Sequence, residues 1–113
     1  MRSARQTLAV TALASAIGAF LTLPAAHAAD PAAGRVKARQ CQACHGMDGV
    51  SRLAEAPNLS GQVEQYLVKA LHEFRSGVRK NEMMSAMVAN LKDEDITDLA
   101  AYYAAFQITV QKP

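Results

Sequence analysis

The sequence lacks tryptophan, has only two cysteines and carries few aromatic side chains. These shortages exclude a disulfide-rich scaffold and a core built from large aromatic side chains. Two cysteines among 113 residues cannot form the disulfide framework of a small secreted scaffold. Aromatic residues make up 5% of the chain, so the side chains supply little large apolar volume for a core. No internal repeat, low-complexity tract or second domain is present. These shortages favour one small domain whose core is incomplete without a further apolar body.

A transmembrane run is also missing, because the apolar N-terminal stretch is too short. Two arginines precede an uncharged apolar run at residues 8–23, and a small-x-small motif follows at 26–28. This order is typical of a secretory signal peptide, and it predicts a cleaved segment at 1–28 and a mature domain at 29–113. A retained membrane anchor is the alternative, but the run is short for a span and ends at Pro24.

No excess of charge remains after that segment is removed. The sequence has 12 Lys and Arg against 10 Asp and Glu, and Arg2 and Arg5 belong to the predicted signal. The mature domain is therefore balanced, which gives no indication of a nucleic-acid or membrane-surface partner. We expect a periplasmic monomer without stable membrane insertion, whose partners are other redox proteins.

The most informative pattern present is Cys41-Gln42-Ala43-Cys44-His45. Two thiols at this spacing with a histidine directly after them form the attachment pattern of a c-type haem. Positions i and i+3 of a helical turn share a face, so both sulfurs can reach the two vinyl groups on one porphyrin edge. The imidazole then points at the iron as the proximal ligand. The motif predicts one covalently bound haem c.

Two other chemistries use a cysteine pair at this spacing. A thioredoxin-like dithiol needs a βαβ setting, and no strand-like alternation flanks Cys41 or Cys44. A zinc site needs a second pair of ligands, and only His45 and His72 remain in the predicted mature chain. We therefore interpret the motif as haem attachment.

Apolar periodicity predicts an all-α domain of four or five short helices. Asp30 and Pro31 suit the N-cap and first position of a helix that runs into the haem motif. A second helix follows a loop at 46–61 and ends at Gly77, and the last helix begins near Asp93. The predicted inner positions are Val63, Tyr66, Leu67, Ala70, Leu71 and Phe74 in the second helix and Ile96, Leu99, Ala100 and Tyr103 in the last.

The position on the iron opposite His45 decides the function. An open position gives a catalytic or ligand-binding haem, whereas a methionine sulfur gives a low-spin electron carrier. The residues themselves leave four candidates for this ligand, namely Met83, Met84, Met87 and His72.

These segments together resemble the class I cytochromes c, especially the small bacterial kind found singly or as halves of dihaem proteins. Besides the haem motif, the resemblance rests on Gly34, on residues 57–62 and 74–77, on the methionine pair at 83–84 and on residues 91–103. It covers nearly all of the predicted mature domain. It implies a cytochrome c fold, with the helices wrapped around one covalent haem.

The resemblance also implies roles for individual residues. The carbonyl of Pro57 would accept a hydrogen bond from the non-ligating nitrogen of His45 and fix the ring. Leu59 would pack on the haem face. Gly34 would allow the first helix to cross the last one closely, beside Tyr102.

The same resemblance selects one methionine. In such proteins the axial methionine lies a fixed short distance before the leucine that precedes the last helix, and counting back from Leu91 gives Met84 rather than Met83. We expect Met87 to belong to the core.

Three basic residues lie around the end of the second helix, before the methionines. Arg75, Arg79 and Lys80 are typical of a solvated basic cluster, and His72 is expected to be a solvated side chain. The sharper hypothesis for this cluster is that Arg79 pairs with a haem propionate.

The function implied is that of a single-electron carrier, not an enzyme, with a His/Met-ligated haem that shuttles electrons between redox enzymes. One alternative is a haem subunit permanently bound to a dehydrogenase or oxidase. The other is a haem enzyme or sensor with a labile sixth ligand. The short chain has no additional catalytic histidine or arginine pocket, which disfavours the last. Around the exposed haem edge we expect small and apolar residues such as Ala43, Met47 and Val50.

Overall fold

The computed structural model describes residues 26–113, and all regular structure within that part of the chain is helical. The prediction of an all-α domain with four or five short helices is confirmed. Most of the predicted signal peptide lies outside the described residues. None of the helices in residues 26–113 is long and apolar enough to cross a membrane. The helices are α1 (Pro31–Lys37), α2 (Gln42–His45), α3 (Glu64–Ser76), α4 (Glu82–Val88) and α5 (Asp93–Ala104), with a 3-10 turn at Ala38–Gln40 after α1.

The first helix begins as predicted but does not run unbroken into the haem motif. The Asp30 side chain accepts a hydrogen bond from the amide of Ala32 at 2.8 Å, and Pro31 occupies the first turn. After seven residues the backbone tightens, and the Cys41 amide bonds to the carbonyl of Ala38 at 2.9 Å, three residues back. This i→i+3 bonding ends α1 and lets the motif form a separate turn with its own direction.

A close crossing of α1 over α5 sets the frame of the domain. A Cβ atom built at Gly34 would lie 2.0 Å from the carbonyl oxygen of Asp98 and 2.8 Å from the Cβ of Tyr102. Only glycine fits at this contact. The expectation that Gly34 permits a close crossing beside Tyr102 is therefore confirmed.

The core lies where α1, α3 and α5 meet. The predicted inner face of α5 is confirmed, because Ile96, Leu99, Ala100 and Tyr103 are all buried. Small residues such as Ala38 fill the contact with α1. Tyr103 is the only aromatic side chain among the buried residues of the described part of the chain.

The apolar stripe of α3 is buried over only part of its predicted length. Leu67 and Ala70 are buried, and Leu71 and Phe74 are partly covered. Val63 and Tyr66, which we expected on the same buried stripe, are 60% and 48% exposed. At this end the stripe is apolar but is not covered by another element of the described residues, so an apolar surface is left there.

Candidate cofactor site

The two cysteines lie on one helical turn at the start of the site. The carbonyl oxygen of Cys41 accepts the amide of His45 at 2.9 Å, which closes the turn over the motif. Both Cys41 and Cys44 are free and half-buried. Burial raises the pKa of the Cys41 thiol to about 11, and the neighbouring Cys44 adds to the shift. The thiol of Cys41 is therefore protonated at neutral pH. Within residues 26–113, no group of three or more metal-binding side chains supplies the remaining ligands of a zinc site.

The histidine of the motif is buried and held by one defined contact. The side chain of His45 is 6% exposed, and its Nδ1 lies 2.9 Å from the carbonyl oxygen of Pro57. A carbonyl can only accept, so Nδ1 must carry the proton and donate it. The lone pair of Nε2 is then free to bind a metal, and the contact fixes the orientation of the ring.

The loop between α2 and α3 places Pro57 opposite the ring. The Leu59 amide bonds to the Gly49 carbonyl at 2.7 Å, and the Arg52 amide bonds to the Cys44 carbonyl at 2.7 Å. These bonds close the loop onto the end of α2. Leu59 is half-buried and packs against the core cluster.

Two tyrosines of α5 also hold this loop, and the sequence analysis missed both contacts. The hydroxyl of Tyr102 donates to the Met47 carbonyl at 2.7 Å, and that of Tyr103 donates to the Gly46 carbonyl at 3.2 Å. Burial raises the pKa of Tyr103, with smaller contributions from nearby acidic groups, so its hydroxyl remains a donor. Two adjacent tyrosines in the last helix are visible in the sequence. Their hydrogen-bond partners could not be predicted, because they lie more than 50 residues away along the chain.

The methionines lie on the seven-residue helix α4. The side chain of Asn81 caps this helix by accepting the amide of Met84 at 2.9 Å. Met84 is half-buried, whereas Met83 is 64% exposed. Met87, which we expected in the core, is 39% exposed, because the core is built from α1, α3 and α5 and does not extend over that side of α4.

The basic cluster divides into two different environments. The guanidinium of Arg79 lies 4.6 Å from the centroid of the Phe74 ring, and its Nη1 donates to the Tyr66 hydroxyl at 3.4 Å. Arg75 is only 27% exposed and bonds to several groups, so the prediction of a solvated side chain is wrong for this residue. His72 is half-buried, with Nδ1 3.0 Å from Arg75 Nη2, so it also is not free in solvent.

The structure brings some of the predicted site residues into direct contact and leaves others apart. The cysteines, His45 and the Pro57 carbonyl meet around one helical turn. Met84 and Arg79 belong instead to the unit formed by α3 and α4.

The residues present fit a covalently held porphyrin. The motif offers two thiols that could form thioether bonds with the porphyrin and an imidazole lone pair for the iron, and α4 offers methionine sulfurs as a second kind of iron donor. Several large apolar side chains on the loop before α3, on α3 and on α4 are about half exposed or more, as expected where an apolar cofactor completes the structure. These side chains are Leu53 (49% exposed), Val63 (60%), Tyr66 (48%) and Met83 (64%).

Comparison with known proteins gives a consistent result. The family model of cytochrome c matches residues 31–104. The chain is similar to cytochrome c4 of Pseudomonas aeruginosa, 41% identical over 104 residues that cover 92% of this chain and 46% of that protein. It is also similar to cytochrome c-554(548) of Halomonas halodenitrificans, 44% identical over 81 residues that cover 69% of this chain and 98% of that protein.

The structural comparison agrees with these results. The crystal structure of reduced recombinant cytochrome c4 from Pseudomonas stutzeri superimposes with a TM-score of 0.68 and 38% identity, covering 74% of this chain and 48% of that one. The chain spans about half the length of the cytochrome c4 relatives that it matches.

Proposed function

The chain belongs to the cytochrome c family, whose members carry covalently bound haem c, and from that premise we propose that it is a periplasmic single-electron carrier with His45 and Met84 as axial ligands. The observation that carries this proposal is the state of His45. This side chain follows two free thiols, is buried, and has Nδ1 committed to Pro57 so that only Nε2 is available to iron.

The residues around the motif would attach and orient the cofactor. Cys41 and Cys44 would each form a thioether bond, and His45 would bind iron through Nε2. The Pro57 carbonyl makes the imidazole a stronger donor by accepting its other proton. Leu59 would cover part of the haem face on the same side. The haem would supply a one-electron change between the ferric and ferrous states.

Met84 would close the opposite side of the site. Its thioether is a soft, neutral ligand that favours the reduced iron and raises the reduction potential. If His45 and Met84 both bound the iron, their side chains would keep water and small molecules from the metal. A site that keeps its ligands in both oxidation states transfers electrons with little rearrangement.

Arg79 is the proposed partner of a haem propionate. It is exposed and lies over the Phe74 ring on the α3–α4 side of the domain, so its guanidinium is accessible to a carboxylate. Its position over the ring leaves further N–H groups of the guanidinium free to bind a carboxylate.

The residues beside the two thiols suit brief contact with redox partners. Gln42 and Ala43 are exposed, Met47 is half-buried and Val50 is 48% exposed. This is a small patch beside the two thiols, bordered by Arg39 and by the exposed pair of Asp48 and Arg52, and weak interfaces of electron-transfer complexes are of this small size. Electrons would enter and leave there.

The first test is the identity of the sixth ligand. We expect the ferric protein to show the weak far-red absorption of a methionine–iron bond and the variant Met84→Ala to lose it. Met83→Ala is the matched control, because it removes the neighbouring sulfur from the same short helix. If the band survives Met84→Ala and disappears in Met83→Ala, the ligand assignment is wrong.

The rival functions give different results in two further measurements. A filled sixth position means that the ferrous protein does not bind carbon monoxide promptly at neutral pH, whereas prompt binding would favour a haem enzyme or sensor. The second rival is a haem subunit that is permanently bound to a dehydrogenase or oxidase. A lone small peak in size-exclusion of native periplasm would count against such a permanent partner.

A further inference from the structure

We propose that Arg75 is a positioning residue that clamps the methionine-bearing segment at 81–91 onto α3 and thereby slows the departure of the methionine from the iron. The inference rests on the proposed axial role of Met84. It concerns a side chain that the sequence patterns place in a solvated basic cluster and that the mechanism above does not use.

The clamp is a forked contact from one helix to the start of another. Arg75 lies in the last turn of α3, and its Nη1 donates to the carbonyl oxygen of Leu91 at 2.7 Å. Its Nη2 donates to Asp93 Oδ1 in the first turn of α5 at 2.5 Å and lies 3.0 Å from His72 Nδ1. One guanidinium therefore joins α3 to the junction between α4 and α5.

Leu91 connects the Arg75 contact to the helix that carries the methionines. Its amide bonds to the Val88 carbonyl at 3.0 Å, directly at the end of α4, so a fixed Leu91 fixes the C-terminal end of that helix. At the N-terminal end, the Asn81 side chain accepts the Met84 amide. The Arg79 amide bonds to the Glu73 carbonyl at 3.0 Å and ties the incoming chain to α3. Both ends of the segment are thus anchored.

The short helix depends on those anchors. A helix of seven residues is not stable alone in water, because the cost of nucleation is spread over few hydrogen bonds. Of its residues only Val88 is buried. The position of Met84 therefore relies on the ends of the segment more than on a core contact of α4.

The chemistry of the contact requires arginine in particular. The planar guanidinium presents N–H groups in two directions, so it reaches a carbonyl and a carboxylate together. Lysine has one nitrogen and cannot hold the same two oxygens in this geometry. Arg75 also holds the pKa of the Asp93 carboxyl below its ordinary value, so both partners are charged at neutral pH.

The test compares Arg75→Gln, Arg75→Lys and the control Lys92→Gln in the haem-loaded protein. The Lys92 side chain is 75% exposed and its Nζ lies 3.6 Å from Glu94 Oε1, so the control removes the same charge from the same region without breaking the bond to the Leu91 carbonyl. Added imidazole can bind ferric iron only after the methionine leaves. We expect imidazole to bind about tenfold faster in Arg75→Gln, two- to fivefold faster in Arg75→Lys and within twofold of wild type in the control.

A second readout separates a clamp from a general loss of stability. Amide hydrogen exchange should speed up in α4 of Arg75→Gln and stay unchanged in α1, which lies on the other side of the core. Equal acceleration in α1 and α4, or imidazole binding at the wild-type rate in both Arg75 variants, would overturn the proposal.

The two proposals can fail separately. If the wild-type protein lacks the methionine–iron band, the axial assignment fails, and the clamp is then judged on the exchange of α4 alone. If the band is present and Met83 proves to be the ligand, the imidazole test still applies, because Met83 lies on the same clamped helix.

Discussion

Among single residues, the protonation of two buried side chains, His45 and Asp98, is determined by their hydrogen bonds. His45 has one nitrogen committed to the Pro57 carbonyl, which determines the tautomer and leaves the other nitrogen for the metal. Asp98 is 2% exposed, and its Oδ1 accepts the amide of Asp30 at 2.8 Å while its Oδ2 accepts Lys37 Nζ at 3.2 Å. The contact of His45 would orient a metal ligand, whereas the contacts of Asp98 hold the N-terminal segment and α1 against α5.

The charge of Asp98 depends on these partners. Burial by itself would raise the pKa of this carboxyl, but the bonds from Asp30, His27 and Lys37 outweigh it and hold the pKa below its ordinary value. His27 Nε2 lies 2.8 Å from Asp98 Oδ1. Cleavage before Ala29, as the sequence predicts, would remove His27 and leave the other two partners in place.

We predict that Asp98→Asn lowers the free energy of unfolding by about 2 kcal/mol at pH 7, because it breaks a buried charged pair and its hydrogen bonds. A carboxyl whose folded pKa is depressed stabilises the protein above the unfolded value of about 3.9, and this contribution is lost as pH falls through the folded pKa. The difference in the free energy of unfolding between wild type and Asp98→Asn should therefore become smaller below about pH 4.

Denaturant unfolding at pH 7 and pH 3 measures this difference directly. Glu94→Gln is the control, since that carboxylate is 51% exposed and its pair with Lys92 contributes little. If the free energy of unfolding differs between Asp98→Asn and wild type by the same amount at both pH values, the charge of Asp98 does not stabilise the crossing of α1 and α5.

At the scale of elements, the crossing of α1 and α5 organises the domain. Gly34 lets the two backbones meet, and two tyrosine hydroxyls from α5 bind the loop that follows the haem motif. Through these contacts α5 supports both the first helix and the loop that carries Pro57. A shift of α5 would therefore disturb the orientation of His45.

We predict that Gly34→Ala destabilises the protein by about 3 kcal/mol, although alanine is the better helix former. The added methyl would lie 2.0 Å from the Asp98 carbonyl oxygen, which is backbone and cannot turn aside. Thermal unfolding of Gly34→Ala beside Arg35→Ala, an exposed neighbour on the same helix, checks this. An unchanged or raised midpoint for Gly34→Ala would mean that the helices are not in such close contact.

The features that could be predicted from the sequence are those that depend on residues close together along the chain. Cys41, Cys44 and His45 form a contiguous pattern, and the 3.6-residue period of α5 identifies its buried face. The contacts of Arg75 with Leu91 and of Asp98 with Asp30 could not be predicted in this way, because the partners lie 16 and 68 positions apart along the chain. The early end of the first helix was also missed, because the tightening at Ala38 follows from tertiary packing rather than propensity.

At the scale of the whole molecule, the domain has too little apolar core for its length. Nine apolar side chains are buried in residues 26–113, and four of them are the alanines Ala38, Ala70, Ala100 and Ala101. A haem would add a large apolar body where Val63, Tyr66 and Met83 are exposed. The cofactor would thus be part of the core as well as the proposed site of electron transfer, and we expect the polypeptide without it to be poorly folded.

The most direct measurement is the mass of the exported chain under denaturing conditions, after expression in a bacterium with working c-type haem maturation. We predict the mass of residues 29–113 plus one haem that survives organic extraction, and no retained haem in the double variant Cys41→Ser with Cys44→Ser. A wild-type chain with two unmodified thiols and no added mass would contradict the account.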